Sequence, residues 1–244
     1  MRFIQDLWHC IAIMLLDCKN IGRIMQNISK FQEGHHARMQ GYILKIIPTK
    51  TQDLIVKILT PQSLRSFYRF YGARHSTIGL GYKIDFEEHP NAHFLPQVRH
   101  ILHLSFGWEC EWERVYVWQR FLGLLERHLD EVYEVGEFYF NLLEQNAKKI
   151  AKQNPLRVFL ESYARLLEYE GRLGRQEENR CFVCDRLLES HITLGRAFLF
   201  AHPQCVHGFV FNKSQVLEFF AHASTLHLED IEVQKLWQIL CLGL

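Results

Sequence analysis

The chain has 244 residues, of which 48% are hydrophobic and 23% charged, and its formal net charge is +1. These proportions are those of a folded globular protein and argue against extensive disorder. The seven cysteines are an odd number and three of them cluster late in the chain, which argues against a disulfide framework and favours a metal site in a reducing compartment.

The first 38 residues differ in texture from the rest of the chain. Residues 7–16 form a short apolar run (LWHCIAIMLL), but no small-residue cleavage site follows it, so we do not expect an export signal. The run is also well short of the ~20 apolar residues that span a bilayer. Regular β patterning begins directly after Met39. We therefore treat residues 1–38 as a non-native or disordered extension, with a helix packed on the body as the alternative.

Residues 41–106 have the texture of β structure. The apolar runs are short and are separated by turn sequences such as residues 48–52 and 61–63. About five strands are predicted, at residues 41–47, 53–60, 64–71, 79–86 and 98–106. Short strands at this spacing are typical of a small barrel or sandwich.

Positive charge is concentrated in this β segment, where Asp53 is the only acidic residue between positions 39 and 84. If residues 64–71 are extended, cations and rings alternate on one face. Single-stranded DNA is bound by such a combination, because cations track the phosphates and rings stack on bases. The alternative is that the rings are core and the charges a solvated face. The predicted DNA-binding residues are Lys45, Lys57, Arg65, Phe67, Arg69, Tyr71, Arg74 and Lys83.

The rest of the chain has helical periodicity. Helices are predicted at residues 112–129 and 137–152, and a third helix begins after Asn154 and Pro155, an N-cap followed by proline. It ends near Gly171, and a polar loop follows to residue 178. Two more helices are predicted at residues 213–223 and 229–240.

A Cys/His pattern lies between these helices. Cys181 and Cys184 form C-x-x-C, and after seventeen residues His202 and Cys205 form H-x-x-C. Each pair can supply two ligands to one tetrahedral zinc ion, and four protein ligands leave no open position, so a structural zinc site is predicted. His191 and His207 are the alternative ligands if His202 points away. No βαβ pattern surrounds the C-x-x-C, which argues against a thioredoxin-like role.

Enzymatic motifs are missing from the sequence. It contains no G-x-x-x-x-G-K-[ST], no G-x-S-x-G and no H-E-x-x-H. Asp85, Glu87 and Glu88 could hold a nuclease metal, but such a cluster is more often a solvated rim. We therefore expect a protein without enzymatic activity.

The order of these features resembles the RecO family of bacterial recombination mediators. Residues 41–47 (GYILKII) and 53–60 (DLIVKILT) resemble the first two strands of that family, residues 72–74 the head of its basic loop, and residues 165–171 the helix end before its zinc module. The resemblance covers about residues 39–240, and the segments GARHSTIGLGYKIDFEE and AHPQC resemble the ε-proteobacterial branch. Two departures are that the family's zinc site is typically four cysteines, where this chain has His202, and that residues 1–38 have no counterpart.

The resemblance implies an α+β fold. An OB-type β-barrel at residues 39–110 would be followed by an α-helical domain at residues 111–244, with the zinc module inserted at about residues 178–210. It also implies a cytoplasmic, nucleoid-associated protein of DNA repair and recombination.

Such a protein binds single- and double-stranded DNA and anneals complementary strands. With RecR it helps load RecA onto strands coated with single-strand-binding protein (SSB), whose acidic C-terminal tail docks on the helical domain. Arg114, Arg120 and Arg127 are candidates for that contact. The alternatives are a zinc-ribbon subunit that binds proteins, such as a transcription-associated factor, and a metal-dependent nuclease.

Overall fold

The computed structural model describes residues 38–71, 77–130, 132, 135–173 and 179–244. The predictions about residues 1–37 and about the basic loop at residues 72–76, which contains Arg74, lie outside the described residues. Met39–Leu244 forms one compact unit. The domain limits expected from the sequence stay predictions. In the described part of the chain, each helix is too short or too polar to cross a lipid bilayer.

Five strands form a closed barrel in the order β1-β2-β3-β5-β4. Strand β3 pairs with β5 in parallel, whereas the pairs β1–β2, β2–β3 and β4–β5 are antiparallel. A five-stranded barrel with this order is an OB fold. The strands are β1 (Arg38–Pro48), β2 (Leu54–Leu59), β3 (Leu64–Arg69), β4 (Lys83–His89) and β5 (Gln97–His103). The prediction of an OB-type barrel followed by helices is confirmed.

The barrel interior is filled by apolar side chains that alternate along the strands. Val56 lies opposite Phe67 in the β2–β3 pair, and both are fully buried. The ring of Phe67 meets Phe86 of β4 edge to face, with centroids 5.4 Å apart. Aliphatic residues complete this core, namely Ile43, Leu54, Ile58, Ile84 and Val98.

Strand β4 begins four residues later than predicted, at Lys83 rather than Gly79, because a turn precedes it. In that turn Gly81 has φ +85°, and a Cβ atom there would lie 2.7 Å from the ring of Trp118. The indole Nε1 of Trp118 donates to the Gly81 carbonyl at 2.9 Å. Glycine at this position therefore lets a helix pack directly on the barrel.

The helical part begins with a 3-10 turn at Gly107–Cys110 and contains five described α-helices. They are α1 (Trp112–His128), α2 (Glu137–Ile150), α3 (Pro155–Tyr169), α4 (Lys213–His222) and α5 (Asp230–Leu240), close to the predicted limits. Asn154 caps α3 by accepting from the N–H of Leu156, as the sequence predicts. Barrel residues Tyr42, Leu44, Leu59 and Leu64 share one buried core with these helices.

Three short strands form a small sheet between α3 and α4. Strand β6 (His191–Leu194) is central, and β7 (Phe200–Ala201) and β8 (Val210–Asn212) pair with it on either side. Phe198, between β6 and β7, is fully buried and packs against Tyr163 of α3 with ring centroids 5.1 Å apart. The sheet is thereby anchored on the helices, and it carries the Cys/His pattern.

Glu170, directly after α3, ties three helices together. Its carboxylate accepts from Tyr139 Oη at 2.8 Å and Arg172 Nη1 at 2.9 Å, and it lies 2.5 Å from His128 Nε2. Burial raises the pKa of Glu170, but the hydrogen bonds from His128, Arg172 and Tyr139 outweigh it and lower the pKa to about 2. The ionised carboxylate is therefore part of the folded structure.

We expect Glu170→Gln to reduce the free energy of unfolding at pH 7 by ~1.5–3 kcal/mol, because hydrogen bonds to a charged group are lost. The folded pKa lies below the ordinary value of 4.5, so this stabilisation is present above about pH 4.5 and is lost as the pH falls toward 2. Urea unfolding of both proteins between pH 7 and pH 3 should show the difference shrinking toward acid. Glu168→Gln, at an exposed position near the end of α3, is the control. A difference that stays constant with pH would contradict this account.

Candidate nucleic-acid interface and metal centre

Two of the predicted phosphate ligands lie where the barrel meets α1. Lys45 and Lys57 both donate to Glu126 Oε1, at 3.1 and 3.0 Å, and Lys57 also reaches Asp130 Oδ1 at 2.7 Å. Burial disfavours the charged form of Lys57, but hydrogen bonds to Asp130 and Glu126 outweigh it and raise its pKa. The Lys57 side chain is 17% exposed and that of Lys45 46%. Lys57 therefore holds the two parts of the fold together, whereas Lys45 is open to a ligand.

Lys83 has a similar role at another point of this contact. Its Nζ lies 2.6 Å from Glu144 Oε1 on α2, and the lysine side chain is 13% exposed. The same carboxylate oxygen accepts from the hydroxyl of Tyr42 at 2.8 Å. Lys83 is thus engaged by the helical part, and its predicted contact with DNA stays a prediction.

Phe67 is a core residue, which argues against the prediction that it stacks on a base. Its side chain is fully buried inside the barrel, so it offers no face to a ligand. The alternative interpretation of that ring, as core, is the one that the structure supports. Arg65 lies over the Phe67 ring at 5.1 Å and forms a two-point ion pair with Glu88. Its charge is therefore largely balanced within the barrel.

Arg69 and Tyr71 lie at the other end of β3. The Tyr71 side chain is 57% exposed, and its backbone N–H donates to Asp53 Oδ1 at 2.7 Å. Tyr71 has φ 51° and follows the end of β3, so the strand alternation that grouped it with Phe67 no longer applies there. Arg69 Nη1 donates to the carbonyl of Val98 at 3.2 Å. Both residues remain candidates for binding DNA.

A surface groove lined by rings lies at this end of the barrel, and the sequence prediction missed it. It is lined by Tyr68, Phe70, Asn91, Phe94, Leu95 and Gln97, has a volume of about 350 Å³, and is called the ring groove below. Phe70 is 50% exposed and Phe94 is 79% exposed. Tyr68 meets Phe70 edge to face at 4.9 Å, which fixes the position of one wall. The rings of this groove are therefore exposed to a ligand, whereas the ring of Phe67 is buried.

A second groove adjoins the ring groove and carries positive charge. This cationic groove, of about 600 Å³, is lined by Arg69, Phe70, Thr77, Gln97, Val98, Arg99, His100 and Ile101. The two grooves share the lining residues Phe70 and Gln97, so they adjoin each other. Burial and the nearby charge of Arg99 lower the pKa of Arg69. Two guanidinium groups held this close together concentrate positive potential beside the exposed rings.

The predicted metal ligands converge on one point. One ligand atom from each of Cys181, Cys184, His202 and Cys205 lies within 4.8 Å of the others. His202 Nδ1 lies 3.4 Å from Cys184 Sγ and 4.0 Å from Cys205 Sγ. Ligand atoms around tetrahedral zinc lie ~3.5–3.8 Å apart, given Zn–S bonds of ~2.3 Å and Zn–N bonds of ~2.0 Å. The side chains are therefore arranged as a zinc site requires.

The surroundings of these ligands also fit a metal. His202 Nε2 lies 2.9 Å from the carbonyl of Leu187, which orients the ring and leaves Nδ1 for the metal. Burial raises the pKa of Cys181, but backbone N–H groups of Cys184, His202 and Val183 outweigh it and lower the pKa to about 6. A thiolate is the form that binds zinc. The alternative ligands His191 and His207 are not part of the cluster.

Within the described residues, this Cys/His cluster is the one group of potential ligands close enough to hold a metal ion. Two acids of the alternative nuclease site have other partners. Glu88 pairs with Arg65, and Glu87 lies 3.8 Å from His100.

Comparison with known protein families gives one match. Residues 39–109 match the family model described as RecO N terminal. Residues 39–109 form a RecO-like N-terminal domain. This stretch contains nearly all of β1, the other four barrel strands and most of the following 3-10 turn. No curated protein matches the chain.

The RecO-like domain explains where the missed groove lies. OB folds bind oligonucleotides through the β2–β3 face and the loops that follow β1 and β4. Phe94 and Leu95 belong to the loop between β4 and β5, and Phe70 follows β3. One feature of the sequence could have indicated this groove. Phe94 and Leu95 are apolar residues in a loop between Pro90 and Pro96, where a side chain is not expected to lie in the core.

Proposed function

We propose that this protein is a recombination mediator of the RecO kind. It binds single- and double-stranded DNA, anneals complementary strands, and with RecR helps load RecA onto SSB-coated DNA. It acts in the cytoplasm, where it associates with the nucleoid. It does not catalyse the formation or cleavage of a covalent bond. A RecO-like N-terminal domain supports a role in DNA repair and recombination. The ε-proteobacterial branch stays a prediction.

The observation that carries this proposal is that the ring groove and the cationic groove adjoin each other. Bases stack on Phe70 and Phe94, each stack contributing ~1–3 kcal/mol, while Arg69 and Arg99 hold the adjacent phosphates. Tyr71 and Lys45 extend this surface. Binding of this kind is independent of base sequence, because each base has a face that can stack.

Annealing follows from the same surface. Two complementary strands repel each other through their phosphates, and guanidinium groups that neutralise one strand reduce this repulsion. Bases stacked on surface rings keep their hydrogen-bonding edges free for a second strand. No catalytic side chain is required for this reaction.

The proposed zinc ion has a structural role. Cys181, Cys184, His202 and Cys205 would hold it and use all four tetrahedral positions, so the ion supplies rigidity and no open site for chemistry. Arg186 lies beside Cys184, and a hydrogen bond to the thiolate of Cys184 raises the pKa of that arginine.

The acidic SSB tail has a candidate pocket in the helical part. A cavity of about 440 Å³ is lined by Leu124, Arg127, His128, Arg196, Leu242, Gly243 and Leu244. Cations and leucines together suit a peptide that is both acidic and apolar. This places Arg127 at the pocket, whereas Arg114 is occupied by Glu111 and by the carbonyls of Ile150 and Gln153. Arg127→Ala is expected to weaken binding of an acidic tail peptide, and unchanged affinity would contradict the placement.

The test of the proposed function is binding and annealing of labelled random-sequence oligonucleotides by the purified protein at two salt concentrations. Mediator function predicts tight binding that weakens steeply with salt, and faster annealing of complementary strands. A zinc-ribbon subunit that binds proteins would show neither. A nuclease would cut the strands when Mg²⁺ or Mn²⁺ is added.

A further inference from the structure

Phe182 is an exposed ring on the Cys/His module, between the first two metal ligands. Its side chain is 49% exposed. Its backbone N–H donates to the Phe200 carbonyl at 3.0 Å. The ring lies against Gly195, where a Cβ atom would be 3.1 Å from two ring carbons. The ring is therefore held in place on one side and is open to a ligand on the other.

Phe182 lines a groove of about 700 Å³ between α3 and the module, called the module groove below. Apolar walls are formed by Leu167, Leu199 and Phe200. Arg172 and Arg180 line the same groove. The groove thus repeats, on a separate part of the fold, the combination of ring and cations found on the barrel.

The two arginines retain N–H groups that a ligand can reach. The Arg180 side chain is 49% exposed; its Nη1 donates to the Asp185 carbonyl at 2.8 Å and lies 3.7 Å from the Asp185 carboxylate, which is itself 87% exposed. Such an exposed pair is weak and gives way to a stronger anion. The Arg172 side chain is 32% exposed and uses Nη1 for Glu170. A phosphate can therefore be held at the mouth of the groove.

We propose that the module groove is a second site for single-stranded nucleic acid, where a base stacks on Phe182 and Arg172 and Arg180 hold the neighbouring phosphates. The inference rests on the proposed function, since annealing brings two strands to one protein. The RecO-like domain holds one strand at the ring groove, and the module holds the other.

The charges around the ring favour nucleic acid over a protein partner. Another exposed ring pair, Trp112 and Tyr116 on α1, is stacked at 5.4 Å and 74% and 54% exposed. That pair is flanked by Glu111 and Glu113, which repel phosphate. The module groove of Phe182, by contrast, is lined by the guanidinium groups of Arg172 and Arg180 and by one carboxylate, that of Asp185, so its cations outnumber its acid.

Photo-crosslinking tests the inference directly. A single strand of ~30 nucleotides carrying 5-iodouracil, longer than the ~4–16 nucleotides that one OB fold covers, is irradiated with the zinc-loaded full chain and the crosslinked peptides are mapped. We expect crosslinks both in the peptide containing Phe182 and in the peptide containing Phe94. Crosslinks in the barrel alone would overturn the second site and leave the proposed function standing. Crosslinks at neither place would overturn both.

Substitutions give an independent measure. Phe182→Ala is expected to weaken binding of the long strand by about 5- to 100-fold and to slow annealing, whereas Phe182→Trp keeps both. Arg180→Gln should flatten the slope of log affinity against log salt by ~0.7. Zinc content equal to that of the wild type shows that the module is folded. Wild-type affinity, salt slope and annealing rate in both Phe182→Ala and Arg180→Gln would overturn the proposal.

Discussion

Cys205→Ser is expected to abolish zinc binding and to unfold the Cys/His module while the barrel stays folded. The apolar side chains of the module, such as Ile192 and Phe198, are buried against the helices, whereas the loops that carry Cys181, Cys184, His202 and Cys205 converge at the proposed zinc site. Zinc contributes ~10–16 kcal/mol to the folding of isolated zinc fingers at neutral pH, so its loss exceeds what this small sheet can replace. Metal analysis and hydrogen exchange measure the two effects. Exchange should speed up in β6 and β8 and stay slow in β2.

Cys110→Ser is the matched control, because Cys110 is an exposed cysteine outside the cluster. This variant should keep ~1 zinc per chain and wild-type exchange. Protein purified without chelators that contains no zinc would contradict the metal assignment. Slow exchange in the module of a zinc-free Cys205→Ser variant would contradict its structural role.

Phe67→Ala is expected to lower the free energy of unfolding by ~3–5 kcal/mol, the usual loss when a buried phenylalanine is truncated. The ring fills the centre of the barrel against Val56 and Phe86, and a cavity would remain there. Phe70→Ala, three residues further, removes a ring that is 50% exposed and should cost much less stability. Urea unfolding compares the two variants.

The affinity for DNA should fall more in Phe70→Ala than in Phe67→Ala, the reverse of the order expected for stability. Phe70→Ala weakens binding of a single strand, whereas Phe67→Ala does so only when the barrel unfolds. A stable Phe67→Ala protein with a large specific loss of affinity would show that the buried position of Phe67 is not its position in the DNA-bound state.

The Cys/His site could be predicted almost completely from the sequence. Two residues between Cys181 and Cys184, and again between His202 and Cys205, let each pair face one ion, whatever the rest of the fold does. The start of α3 could also be predicted from local sequence, because the Asn154 side chain accepts from the Leu156 N–H and Pro155 lacks the N–H that the first helical position leaves unpaired.

The proposed DNA surface could be predicted only in part. Strand periodicity correctly groups Arg65 with Phe67, but it does not say which face is the interior. That choice depends on β2 and β4, which supply Val56 and Phe86 as neighbours.

The interpretation of Lys57 from the sequence was incomplete for a different reason. Lys57 looks unpaired in a basic segment, but its partners Glu126 and Asp130 are 69 and 73 residues away in the chain. Local charge counts therefore overstate the free positive charge of the barrel.

The salt dependence of single-strand binding tests the central claim most directly. Affinity for a labelled random-sequence strand is measured over a range of salt for the wild type and for Phe70→Ala/Phe94→Ala/Arg99→Ala. The matched control is Trp112→Ala/Tyr116→Ala/Arg120→Ala, which removes two exposed rings and one exposed arginine from α1. The barrel variant is expected to bind at least ~10-fold more weakly, with a salt slope flatter by ~0.7, while the α1 variant matches the wild type. Equal losses in both variants, or none in the barrel variant, would contradict the assignment of the two adjoining grooves as the DNA site.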